Sequence, residues 1–239
     1  MIDQAKRALK ALGLTALSMV AIVGFGGGHM IGICASGSDH HQAPAIDLRV
    51  QEKNGLERAV FAGGCFWGTQ YSFQKLAGVS LTASAGAIKG GQLKEKPTDL
   101  SGIVSTAVGY TGGHFKDPTY RDVCSDRTGH AEAVLVVYDP KKISYRRLVE
   151  YFFTIHDPTT KDSQGPDFGS QYRSAIFYTS PKQKEVAQSV IADLFKAHKF
   201  SAPVVTQIAP AEIFYPAEEY HQSYDLKKGS ESCAVPLGH

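Results

Sequence analysis

One thiol in this chain has a setting that would make it a nucleophile. In the run Phe61-Ala62-Gly63-Gly64-Cys65-Phe66-Trp67-Gly68, Val60 and Phe61 read as the end of a buried strand. Tyr71, Phe73, Leu76 and the residues between them read as a short helix closed by Gly78. Gly63 and Gly64 admit backbone angles that a Cβ would resist, so Cys65 falls at the first turn of that helix. Unpaired amides and the positive end of the helix dipole favour an anion there, which lowers a thiol pKa and raises the thiolate fraction. Phe66 and Trp67, the only tryptophan of the chain, supply an apolar wall beside the sulfur. Such a sulfur suits attack on a small, apolar reactant. A buried structural cysteine is the competing reading of any single thiol; the glycines before Cys65 and the aromatics after it favour the nucleophile.

A carboxyl is the second chemical group. Glu132 is the odd residue in Gly129-His130-Ala131-Glu132-Ala133-Val134-Leu135. At the start of an apolar strand it is costly to bury charged; desolvation raises its pKa and makes it a candidate general acid. An edge glutamate facing water is the alternative. Tyr120, Tyr172 and Asp167 fall in loops near strand ends, where polar groups can converge on a site. Taken singly, each reads as a surface or satisfied residue.

The elements that must position these groups follow from patterning. Residues 38–55 read as a polar linker or arm, and the folded domain starts at Leu56. Residues 80–103, rich in Ser, Thr, Gly and Lys, read as an exposed loop. Strands are expected over 104–109, 131–138, 174–178 and 204–208, and a turn over 110–114. Ser144 is expected to cap a helix running to about His156, and 181–197 is an amphipathic helix. A Pro, Gly and Asp loop spans 157–169. Strands alternating with helices indicate one α/β (α+β) domain, 56–239, with a long loop-rich tail.

Composition narrows the function. The chain has 239 residues, 25 basic against 23 acidic, which leaves no nucleic-acid footprint. Cysteines at 34, 65, 124 and 233 include no C-x-x-C pair, and the nine histidines form no zinc pattern, so no metal is expected. Lys6, Arg7 and Lys10 precede an apolar stretch from Ala11 to about Phe25 and then small residues near Ala35-Ser36-Gly37. This reads as a signal peptide over 1–37 and an exported envelope or periplasmic protein, with a retained membrane anchor second. Cys65, Cys124 and Cys233 would then remain, and an odd count in an oxidising compartment favours redox chemistry.

These segments together resemble the peptide methionine sulfoxide reductase family of the A type. The resemblance rests on Gly63-Gly64-Cys65-Phe66-Trp67-Gly68, Gly109-Tyr110-Thr111-Gly112-Gly113, Pro118-Thr119-Tyr120, Thr128-Gly129-His130-Ala131-Glu132-Ala133-Val134, His156-Asp157-Pro158, Gly169-Ser170-Gln171-Tyr172-Arg173-Ser174-Ala175-Ile176 and Phe214-Tyr215-Pro216-Ala217-Glu218. They run in the family's order over about 57–224. The resemblance implies a two-layer sandwich on a mixed sheet and reduction of methionine S-sulfoxide, free or in proteins. It implies Cys65 as nucleophile, Glu132 as the acid that protonates the sulfoxide oxygen, and Tyr120 and Tyr172 as hydroxyls that bind this oxygen. Phe66 and Trp67 match the aromatics around the S-methyl group, and Asp167 matches an acidic residue of the same site. No cofactor is implied; electrons come from thioredoxin or a similar dithiol protein. Cys233, in the tail, matches the resolving thiol, and Cys124 matches a cysteine without a catalytic role, read as structural. Three features depart from the family pattern: the insertion at about 80–103, Pro166 where Asn is expected, and a tail with one cysteine where some members have two. A thiol peroxidase and a non-enzymatic module that binds methionine-rich segments with Cys65 as redox sensor are the competing readings.

Overall fold

The computed structural model describes residues 42–52, 54–76 and 101–229. The expected leader, most of the insertion, and the tail bearing Cys233 lie outside the described residues. In chain order the described elements are β1 (Ile46–Asp47), β2 (Glu57–Gly63), α1 (Phe66–Leu76), β3 (Ile103–Thr111), α2 (Tyr120–Cys124), β4 (Ala131–Tyr138), α3 (Tyr145–Phe152), β5 (Ser163–Gln164), β6 (Asp167–Phe168), β7 (Ser174–Tyr178), α4 (Pro181–Lys196), β8 (Gln207–Pro210), β9 (Ile213–Pro216) and α5 (Tyr224–Lys228). Seven strands form one mixed sheet in the order β1-β9-β3-β4-β2-β7-β8, antiparallel except for β7 with β8. The strands β5 and β6 make a separate two-residue hairpin.

Period-2 alternation assigns the two faces of the sheet. Ala59 and Phe61 of β2 share one cluster with Val134, Val136 and Tyr138 of β4 and with helix residues Phe73, Leu148, Val149 and Phe152. The Phe61 ring stacks 5.0 Å from Phe152 and 5.3 Å from Phe73. The opposite face is lined by small residues, Ala62, Ala131, Ala133 and Ala175, closed by Leu48, Phe177 and Phe214. Side chains this short let the sheet curl over its own face. Glu132 lies two residues before Val134, whose partner is Phe61, and alternation therefore turns it toward the helices.

The strands 131–138 and 174–178 lie where the sequence places them. Other boundaries differ, each for a local reason. The Ser144 hydroxyl accepts the Arg147 amide as expected, but α3 stops at Phe152 rather than about His156. His156 Nδ1 bonds the Phe152 carbonyl at 2.8 Å, and Thr154 Oγ1 donates to Tyr151 O, so side chains take the carbonyls that another turn would have used. The strand expected at 204–208 starts at Gln207, because the Val205 amide donates to Pro158 O instead of to β7. The turn expected at 110–114 begins only after Thr111. The 157–169 loop contains the β5–β6 hairpin.

Of the stretch 38–55, read as a linker or arm, the described residues 42–52 form an arm rather than a free linker. Ile46 and Asp47 pair with Phe214 and Ile213, and Leu48 is buried. Arg58 ties the arm down through Glu52 Oε1 at 2.6 Å and the carbonyls of Asp47 and Val50. Gln42 Nε2 donates to Pro118 O and Pro216 O. The arm therefore belongs to the sheet, and β1 and β9, neither expected from the sequence, form its edge. Among the described residues no helix is long and apolar enough to cross a membrane.

Candidate active site

The two glycines before Cys65 do different work. Gly64 has φ +89°, a left-handed angle that L residues rarely adopt, and a Cβ there would lie 2.5 Å from Gln164 Cγ. Gly63 has no unusual angle; its missing Cβ leaves room for Phe152 and His156, which would stand at 2.9 and 3.3 Å from it. The turn thus presses flat against the buried Gln164, whose amide group holds both the N–H and the C=O of Asp157. From it the chain enters α1, and the Cys65 carbonyl accepts the Thr69 amide at 3.3 Å. Cys65 is the residue just before the helix and is half-buried.

One of those amides is already spoken for. Phe66 N–H, one residue past Cys65, donates to Glu132 Oε2 at 3.0 Å. Glu132 is 2% exposed, so the sequence alternative of a solvent-facing edge residue does not hold. The Glu132 carboxyl therefore sits at the helix end that Cys65 precedes.

The two candidate phenols close on this pair. Tyr120 opens α2, with Thr119 as its N-cap in a reciprocal box with Asp122. Tyr172 ends a single 3-10 turn, Ser170–Tyr172, held by Ser170 to Asp126 and by Arg173 to the carbonyls of Ser170 and Gly129. Burial pushes both phenols well above the ordinary tyrosine range, with Glu132 adding to the effect on each; Tyr172 also feels Cys124, Asp167 and Cys65. Both hydroxyls are therefore proton donors at neutral pH. Asp167, on β6, is half-buried, and its carboxyl is raised by that burial. Pro166, the departure from the family pattern, sits with Gly165 in the turn of the β5–β6 hairpin.

Of the two aromatics beside the thiol, Trp67 is half-buried, whereas Phe66 is 1% exposed and part of the core. The Phe66 ring lies 5.8 Å from Tyr110 and 6.5 Å from Tyr120. Trp67 stacks on Tyr224 at 3.9 Å and 14°. The structural reading of Cys124 needs correcting: the residue is exposed rather than filling the core, and its thiol is near enough to the Tyr120 hydroxyl to influence it. Cys233 lies outside the described residues.

The family profile described as peptide methionine sulfoxide reductase matches the chain in two segments, residues 57–98 and 92–238. The peptide methionine sulfoxide reductase MsrA of Methanosarcina mazei is 50% identical over 175 residues, 73% of this chain and 72% of that one. The MsrA of Acidobacterium capsulatum is 44% identical over 180 residues, 75% of this chain and all of that one (100%). The chain belongs to the peptide methionine sulfoxide reductase family. Solved structures agree with the A-type assignment. The reduced form of Mxr1 from Saccharomyces cerevisiae superposes with a TM-score of 0.64 at 32% identity, over 80% of this chain and 94% of that one. Methionine sulfoxide reductase A of Corynebacterium diphtheriae gives 0.56 at 31%, over 80% of each.

For a reductase of this family, the sequence left Glu218 without a role, although it closes one of the motifs. Glu218 is buried and joins three elements: Oε1 accepts the Tyr120 amide at 3.0 Å, Oε2 accepts the Tyr110 hydroxyl at 3.0 Å, and His221 Nε2 lies 4.0 Å away. It fixes the first residue of α2 against β3 and so aims Tyr120. A Glu directly after the apolar run Phe214-Tyr215-Pro216-Ala217 was the available signal. Among the described residues no group of His, Cys, Asp and Glu could hold a metal ion.

Proposed function

We infer that the protein reduces methionine S-sulfoxide to methionine at Cys65, in free methionine or in oxidised proteins, as a repair enzyme. The supporting observation is the Phe66 amide donating to Glu132 at 3.0 Å, which sets nucleophile and acid at one helix end, next in sequence to the half-buried Trp67. The substrate methyl lies against Trp67, and the sulfoxide oxygen takes hydrogen bonds from the Tyr120 and Tyr172 hydroxyls. The Cys65 thiolate attacks the sulfoxide sulfur while Glu132, in its protonated form, delivers a proton to the oxygen. In the resulting adduct the S–O bond breaks and the protonated oxygen passes to the Cys65 sulfur as the new S–S bond breaks, so methionine leaves with its sulfur reduced by two electrons and Cys65 is left as a sulfenic acid. A second thiol then displaces that oxygen as water and forms a disulfide, which a dithiol protein such as thioredoxin reduces with two electrons. We assign the second thiol to Cys233. Asp167 lies within electrostatic reach of Tyr172 and helps hold the polar side of the site.

The test is turnover of the separated sulfoxide epimers with dithiothreitol. Reduction of one epimer only, abolished in Cys65→Ser, supports the reading. Turnover of peroxide alone would instead assign a peroxidase. The leader composition supports export, and mass spectrometry of the mature N-terminus in the native host tests it.

A further inference from the structure

The indole that forms the substrate wall is held from two sides by one short segment. Tyr224 covers its face. At its edge the Trp67 Nε1–H donates to His221 Nδ1 at 3.0 Å. This bond fixes the imidazole: Nδ1 must offer its lone pair, so the proton of the neutral ring sits on Nε2. That Nε2 is buried, has no hydrogen-bond partner, and lies 4.0 Å from Glu218 Oε2. The ring is 1% exposed and is packed between Tyr120 at 4.4 Å, Tyr220 at 4.1 Å and Phe66 at 5.3 Å. A buried imidazole with a single ring hydrogen bond, made to a half-buried tryptophan, has little room to turn.

We propose that His221 is a positioning residue for the reductase reaction: its Nδ1 acceptor fixes the angle of the Trp67 indole, and with it the shape of the pocket for the substrate methyl group. The proposal rests on the reading of Trp67 as that wall. Its consequences are separable from Cys65 chemistry. The indole contacts the methyl group in ground state and transition state alike, so loss of its orientation raises KM and leaves kcat nearly unchanged. His221 itself touches no reacting atom.

The test uses two polar replacements of opposite reach. In His221→Asn the side-chain oxygen can take the place of Nδ1; in His221→Gln the polar atoms reach toward the place of Nε2, away from the indole. Trp67 is the only tryptophan of the chain, so its emission maximum and anisotropy report the wall directly, without turnover. With methionine S-sulfoxide and dithiothreitol, His221→Gln is expected to raise KM about tenfold, the usual cost of a lost buried hydrogen bond, with kcat within about twofold. Its indole emission shifts and its anisotropy falls, while His221→Asn stays near wild type in all three. Equal behaviour of the two variants, or an unshifted emission in folded His221→Gln, overturns the proposal. In that case wild-type turnover that still depends on Cys65 would leave the functional reading standing.

Discussion

Replacing Gly64 with alanine tests whether the turn, rather than the thiol alone, makes Cys65 reactive. The new Cβ meets two separate penalties. At φ +89° an L residue costs roughly 1–2 kcal/mol, and a Cβ placed 2.5 Å from Gln164 Cγ and 2.6 Å from its Cβ overpacks the site for another 1–3 kcal/mol or so. The sum is about 2–5 kcal/mol, a melting point lower by about 4–20 °C for a domain of this size, with the fold retained. Relief by movement of the turn displaces the sulfur, and a shift near 1 Å is worth about 10²-fold in rate. Thermal melts and dithiothreitol-driven turnover measure both. Trimming Gln164 to alanine leaves its Cβ in place, so Gly64→Ala with Gln164→Ala is expected to recover little, whereas Gln164→Gly removes both contacts and recovers the packing part. Gly64→Ala with a melting point within about 1 °C of wild type and unchanged turnover would refute the argument.

Glu132→Gln keeps an oxygen to accept the Phe66 amide, so the melting point should hold while the rate falls about 10²–10⁴-fold; an unchanged rate removes Glu132 from the mechanism. Cys233→Ser should complete a first turnover yet stall in steady state with thioredoxin, and normal cycling would transfer the resolving role to Cys124. His156 is buried with its pKa lowered from 6.5 to about 4 by desolvation. Between those values the unfolded chain binds more protons, so stability rises with pH there and is lost on acidification from about 6.5 to 4, by up to about 3 kcal/mol. Urea melts at several pH values should show a shallower acid loss in His156→Gln; equal slopes would mean that other groups set it. His130 and His221, also lowered by burial, act in the same direction.

The local parts of the site were legible in the sequence because they are local. A glycine turn before a thiol, an apolar run broken by Glu132, and a serine ahead of an amphipathic repeat each express their physics within a few residues, and Ala131–Tyr138 and Ser174–Tyr178 follow directly from such patterns. What lies far apart in the chain was not legible. The short edge strands β1 and β9 carry no periodicity of their own and exist only by pairing with each other and with β3. The early end of α3 depends on an imidazole folding back, which no helix pattern encodes. Glu218 and His221 gain their roles from partners 98 and 154 residues away, at Tyr120 and Trp67. Residue types along the chain determined which groups can do chemistry. Only the folded sheet, by bringing separate strand ends under one helix terminus, decided which of those groups share a dry site, since burial and hydrogen bonding act through space and not along the sequence.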